Sequence, residues 1–216
     1  MTQRRQVVAE IAARILAIAK PGVLCVAVDG VDGAGKTTFA DELAEPLRAS
    51  GRTVIRASVD VFHNPRAIRY RQGRESPRGF FEDSYDYRLL AALLLDPLSG
   101  RGDRRFRRIA FDHRRDARIT SEEEEAPPGS ILVFDGIFLH RAELRGYWHY
   151  SVFLDVPFEV SIPRGAQRGE GSSDPGAPSN RRYVEGQRIY LATCNPRELA
   201  TVVVDNTDLD EPFVVG

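Results

Sequence analysis

Lysine is almost absent from this 216-residue chain: 2 Lys stand against 28 Arg, so a lysine in a special context is conspicuous. Cysteine is equally scarce. Cys25 and Cys194 lack CxxC spacing, which excludes a disulfide framework and a thiolate metal site and favours a reducing compartment. Charge or proline interrupts every apolar run before the ~18 residues of a membrane span, and the N-terminus has no signal-peptide core. A cytoplasmic protein without membrane partners is expected. Net charge is also missing, since 31 acidic and 30 basic residues leave −1. That balance gives no general attraction to nucleic acid, and none is expected as a partner. What remains is 42% hydrophobic and 28% charged, an ordinary globular composition on a length that suits one domain with at most a small insertion.

Val7, Val8, Ile11, Ile15, Leu16 and Ile18 fall near helical spacing and predict a packing helix over 3–20, ended by Pro21-Gly22. Val23 to Val28 is a short apolar run between turn signals, as in a buried parallel strand. A glycine-rich turn, a helix from Thr37 to Ala49 and a strand from Thr53 to Val59 complete a β-turn-α-β unit. Further strands are read at Ser130–Phe134, Tyr150–Val156 and Ala200–Val204, so strands alternate with helices and the class is α/β. An insertion of about 61–129 holds an Arg-rich loop, a helix near Tyr87–Leu95 and a basic hairpin within Arg104–Thr120. Glu122–Glu125 reads as a solvated turn that offsets those arginines. Gly169–Asn180 is rich in Gly, Ser and Pro and reads as the mobile part of a lid over about 164–182.

Gly30-Val31-Asp32-Gly33-Ala34-Gly35-Lys36-Thr37 matches G-x-x-x-x-G-K-[ST] between a predicted strand and a predicted helix. Small residues there let backbone N–H groups wrap nucleotide phosphates, so Gly30, Asp32, Gly33, Ala34, Gly35, Lys36, Thr37 and Thr38 form the expected nucleotide site. Lys36 would neutralise the β and γ phosphates, and Thr37 would offer a hydroxyl to Mg²⁺. This implies a P-loop NTPase fold: a parallel sheet flanked by helices, with a small substrate-side hairpin and a lid, in one domain over 1–216. A phosphate loop leaves the reaction open. Asp60, at the end of the second strand, is placed to take a proton from an acceptor hydroxyl. Asp135, ending Ile131–Phe134, is placed to organise Mg²⁺. Either could instead be an ordinary strand-end turn residue. Arg164, Arg168, Arg181 and Arg182 flank the lid and could meet transferring charge. No N-K-x-D guanine-reading sequence occurs, and Val204–Asp208 is a candidate adenine-side loop.

From about Val23 to Asp208 the chain resembles the uridine kinase and phosphoribulokinase-like branch of P-loop kinases. DGVDGAGKTTFADELA is similar to that branch's phosphate loop, SVDVFH at 58–63 to its strand-end Asp motif, and LVFDGIFL at 132–139 to its second acidic motif. RRYVEGQRIYLATCNPRELATVVVDNTD at 181–208 resembles a lid helix and last strand. The resemblance implies ATP and Mg²⁺, Asp60 as catalytic base, Asp135 as the metal-associated acid, and Arg164 and Arg168 as lid cations. The hairpin departs from the family's Y-D-F-x-x-H: Phe111-Asp112-His113-Arg114-Arg115-Asp116 puts Asp116 where that pattern has His. His113 then reads as a surface histidine.

The leading reading is a kinase for an alcohol, a nucleoside 5′-hydroxyl. An alternative keeps the machinery but takes a sugar phosphate or other anion, drawn by the eight Arg against three Asp of Arg101–Arg118. A reading of another class is an ATP-binding switch without turnover, which would not need Asp60. The oligomeric state is open, a homo-oligomer included. Lys36, Asp60 and Asp135 are expected to converge on one cleft below the lid.

Overall fold

The computed structural model describes residues 2–100, 102–169 and 171–215. Helix α1 (Gln3–Leu16) buries Val7, Val8, Ile11 and Ile15 along one stripe, with the Thr2 hydroxyl accepting from Arg5 N at its start. It stops four residues short of the expected Lys20, because the approach to Pro21 disfavours helical backbone and Lys20 turns instead onto His149. Strand β1 (Leu24–Gly30) follows, then α2 (Lys36–Ala49) and β2 (Val54–Ser58).

The segment after β2 crosses one face of the sheet. A 3₁₀ turn (Val59–Phe62) leads to α3 (Arg66–Arg69), α4 (Pro77–Asp83) and α5 (Tyr87–Leu90), which widens through a π-type turn (Ala91–Leu95) into α6 (Asp96–Leu98). Two short ribbons follow: β3 (Arg105–Phe106) pairs with β6 (Glu124–Glu125), and β4 (Phe111–Asp112) pairs with β5 (Ala117–Arg118). Glu124–Glu125 is therefore a strand where a turn was expected, while Glu122, Glu123 and Glu125 are exposed and the tract offsets the arginines as expected. Its carboxylates pair with the arginines opposite, Glu123 with Arg105 and Glu124 with Arg108, and cross-strand charge pairing gives the acidic tract a strand partner. The chain continues through β7 (Ile131–Gly136), β8 (Tyr150–Asp155), α7 (Phe158–Gln167), α8 (Arg181–Cys194), α9 (Pro196–Leu199), β9 (Val202–Asp205) and β10 (Phe213–Val215). Strand β9 was expected to be the last; β10 is too short to announce itself in sequence and lies behind the acidic stretch Asp208–Glu211.

The main sheet runs β10-β9-β8-β1-β7-β2, parallel throughout except for β10, which is antiparallel to β9. Its central strands are buried on both faces, which is why they read as unbroken apolar runs. Leu24, Val26 and Val28 face a core shared with α1 and α2, while Cys25 and Ala27 face a second core beneath the crossing segment and α8. Register places Asp29 opposite Gly136 and Ser58 opposite Asp135. The C-terminal ends of β1, β7 and β2 thus meet at one edge, the position where open α/β sheets bind ligands.

Candidate active site

The glycine turn lies where β1 hands over to α2. Gly33 and Gly35 adopt φ of 75° and 88°, backbone that side chains resist, and a Cβ on Gly33 would sit 2.0 Å from Ser161 O of α7. Gly35 caps α2 without any side-chain hydrogen bond, so the positive end of the helix faces the loop's concavity. Lys36 Nζ spans that concavity and donates to Val31 O at 2.7 Å. Two outside groups hold the loop's shape: Gln187 Oε1 accepts from Asp32 N at 2.6 Å, and Asn206 Nδ2 donates to Ala34 O at 2.7 Å. Below, the fully buried Asp29 carboxylate accepts from Gly30 N (2.7 Å), Leu139 N (3.1 Å), His140 Nδ1 (2.7 Å) and Tyr190 Oη. Four donors satisfy a charge that would otherwise be costly to bury.

Asp135 ends β7 and is 2% exposed. Its Oδ2 accepts the Thr37 hydroxyl at 2.7 Å, and its Oδ1 is 2.9 Å from Arg56 Nη2. Arg56 is itself anchored on Asp41 (2.8 Å) and Val133 O (2.6 Å). With its proton on Asp135, Thr37 Oγ1 keeps its lone pairs for another partner. Lys36, Thr37, Asp60, Asp135 and Arg168 together line a cavity of about 180 Å³ over the glycine turn.

A larger cavity of about 520 Å³ adjoins it, and Asp32 and Asp60 line both. Its walls include the aromatic rings of Phe80, Tyr85 and Tyr183, and the hairpin contributes His113 and Arg114. Tyr85 Oη donates to Asp60 Oδ1 at 3.1 Å, and burial together with the Asp60 charge pushes this phenol well above its ordinary value, so it stays a donor. His63 Nδ1 lies 2.7 Å from the Asp60 carbonyl, and its ring packs against Tyr85 (4.5 Å between centroids) and His113 (5.0 Å).

Of the four lid arginines named from sequence, Arg168 faces the smaller cavity and Arg164 does not. The Arg164 guanidinium reaches the carbonyls of Asn206 and Thr207, fastening α7 to the 204–208 loop, so the expectation that it meets the phosphoryl group is corrected. Arg182 is 7% exposed and spends its guanidinium on the carbonyls of Arg69, Gly73, Arg74 and Ser76. Arg181 lines a separate cleft. Within the expected loop 169–180, Asn180 donates to Ser172 O (2.7 Å) and Asp174 O (2.8 Å) and so draws residues 172–180 into a turn; Glu170 lies outside the described residues. Asp116 is a turn residue with φ of 56° whose Oδ1 accepts from Arg66 N at 2.9 Å, while His113, read as a surface group, lines the larger cavity. Four of the arginines of the 101–118 segment pair with carboxylates, Arg104, Arg105 and Arg108 with Glu125, Glu123 and Glu124 and Arg115 with Asp112, whereas Arg114 lines the larger cavity; Arg101 lies outside the described residues. Tyr85, which with Asp86 loosely matches the hydroxyl-binding region of the family that the sequence resembles, does line the larger cavity. Sequence reasoning assigned no role to Arg56, His63 or Gln187, although His63 carried a signal as the end of the SVDVFH motif.

Among the described residues no group of three or more His, Cys, Asp or Glu could hold a metal by itself, and no helix is long and apolar enough to cross a membrane. The sequence model of the Phosphoribulokinase / Uridine kinase family matches residues 25–171. A thymidylate kinase of Xanthomonas euvesicatoria pv. vesicatoria (strain 85-10) is 35% identical over 156 residues, 70% of this chain and 64% of the relative. The chain therefore spans less than two thirds of that kinase. A uridine kinase of Aliivibrio salmonicida (strain LFI1238) is 24% identical over 148 residues, 67% of each chain. Among solved structures, a Bacillus stearothermophilus protein described as a possible uridine kinase superposes with a TM-score of 0.72 at 26% identity, covering 92% of this chain and 97% of that one.

Proposed function

The chain belongs to the phosphoribulokinase/uridine kinase family of P-loop kinases, and from that premise we propose an ATP- and Mg²⁺-dependent phosphotransferase acting on the 5′-hydroxyl of a nucleoside. The observation that supports it most is the position of Asp60, which lines both the cavity over the phosphate loop and the larger cavity beside it. A carboxylate at that junction is where an acceptor hydroxyl would lose its proton.

The chemistry is mainly positioning and charge. Lys36 exchanges Val31 O for phosphate oxygens, and the loop amides and the start of α2 cradle the same groups. Thr37 Oγ1, with its proton held by Asp135, is the oxygen that would hold Mg²⁺, a cation that prefers oxygen donors. When bound, Mg²⁺ supplies charge neutralisation at the phosphates. Asp60 removes the acceptor's proton as the acceptor oxygen bonds to the γ phosphorus and the bond to ADP breaks. The Tyr85 hydroxyl holds Asp60 in place, and Arg168 meets the charge on the transferring group.

An anionic acceptor finds less support, because Arg104, Arg105 and Arg108 of the basic segment that favoured it are paired with Glu125, Glu123 and Glu124, and of that segment's described arginines Arg114 alone lines the larger cavity. The test is ADP release with Mg²⁺ and ATP against pyrimidine and purine nucleosides, sugar phosphates and pantothenate. Release stimulated by a nucleoside and lost in Asp60→Asn is the expected result. Stimulation by a sugar phosphate alone would replace the acceptor, and ATP binding with no stimulated release would favour a switch without turnover.

A further inference from the structure

His63 sits on the 3₁₀ turn that carries Asp60, and the mechanism above makes no use of it. Its protonation pattern can be read from its partner. The Asp60 carbonyl oxygen can only accept, so the ring nitrogen 2.7 Å away, Nδ1, must carry the hydrogen. In a neutral imidazole the other nitrogen, Nε2, is then a bare acceptor, and among the described residues no protein group hydrogen-bonds it. The ring is half-buried and lines the larger cavity, clamped between Tyr85 at 4.5 Å and His113 at 5.0 Å, so its plane is fixed. A fixed acceptor beside the candidate base demands a donor on whatever occupies the cavity.

We propose that His63 selects the acceptor: its Nε2 accepts a hydrogen bond from a ribose hydroxyl of the nucleoside. This rests on the nucleoside-kinase reading. The sugar is the part of a nucleoside that carries the attacked 5′-oxygen, so its remaining hydroxyls are the donors nearest Asp60, whereas base N–H groups lie beyond the glycosidic bond. His63 is thus a specificity-determining residue, acting on binding rather than on proton transfer.

The neutral state is favoured where it sits. Burial is the main cause that lowers the His63 imidazole from its ordinary 6.5, with His113 and Arg69 adding to it and the Asp60 carbonyl and carboxylate opposing it. Asp32, Tyr85, Arg114 and Tyr183 are the other charged or titratable groups among the residues that line the cavity. As pH falls through the ring's lowered pKa, Nε2 becomes a donor and the ribose bond is lost, so nucleoside affinity drops on the acid side.

The test is calorimetric titration of uridine and 2′,3′-dideoxyuridine into the protein loaded with Mg²⁺ and a non-hydrolysable ATP analogue, using wild type, His63→Asn and His63→Gln. Asparagine can keep the bond to the Asp60 carbonyl but cannot reach as far as Nε2, whereas glutamine can place an amide oxygen near the Nε2 position. Wild type should bind the dideoxy compound about 10- to 100-fold more weakly than uridine, the loss expected when a site built for a hydroxyl goes unpaired. The Gln variant should retain that discrimination without the acid-side drop, and the Asn variant should discriminate less than about 3-fold. Full discrimination by Asn, none by wild type, or none by Gln would each overturn the assignment. Failure of wild type to bind uridine would overturn it too, yet ADP release stimulated by another alcohol would leave the kinase reading standing.

Discussion

The two halves of the candidate site are built by different means. The nucleotide half is nearly contiguous in sequence: residues 30–38 form the turn and the first residues of α2, and strand register alone delivers Asp135 to them. The acceptor half is assembled from Asp60, His63, Phe80, Tyr85, His113 and Tyr183, which come from four segments held by long-range contacts. Arg182 of α8 supplies much of that hold by gathering four carbonyls of the 69–76 stretch. The lesson is that the local half depends on short-range backbone rules, whereas the distributed half depends on how distant segments pack.

Substitutions in each half should therefore separate cleanly. Gly33→Ala forces a side chain into positive φ and into Ser161 O, 2.0 Å from the added carbon, and should weaken ATP binding roughly 100-fold in an equilibrium titration. Arg182→Ala should leave ATP affinity near wild type but raise the acceptor KM about 10-fold, because several carbonyls lose a charged donor; denaturant unfolding should show a loss of about 2–3 kcal/mol. A large drop in ATP affinity in that variant would break the division. Glu124→Gln removes the partner of Arg108 on a half-exposed ribbon and should cost under about 1 kcal/mol, a difference that shrinks in high salt. A larger effect would show that the ribbon carries more of the acceptor half than its pairing implies.

How legible each half was follows from the same contrast. Helix α2, the parallel strands and the phosphate loop obey short-range rules, so residues 30–38, Asp60 and Asp135 could be named from spacing and apolar runs. Arg56 could not, because its role depends on β2 lying beside β7, a pairing that periodicity does not specify. Arg164 and Arg168 were equivalent in sequence, one helical turn apart near the end of α7; tertiary packing alone sends Arg164 to the 204–208 loop and leaves Arg168 over the cavity. His113 and Asp116 exchanged expectations for a local reason: Asp116 takes the left-handed turn position, to which aspartate is better suited than most residues, and so its carboxylate is drawn to Arg66 N and away from the cavity.

The most direct test of the account is a paired measurement on Asp60→Asn: affinity for ATP with Mg²⁺, and ADP release at saturating acceptor. If Asp60 joins the two halves, affinity should stay within about 2-fold of wild type while turnover falls by roughly 10²- to 10⁴-fold, the range of a lost general base. Turnover that survives the substitution, with both cavities still binding their ligands, would contradict it.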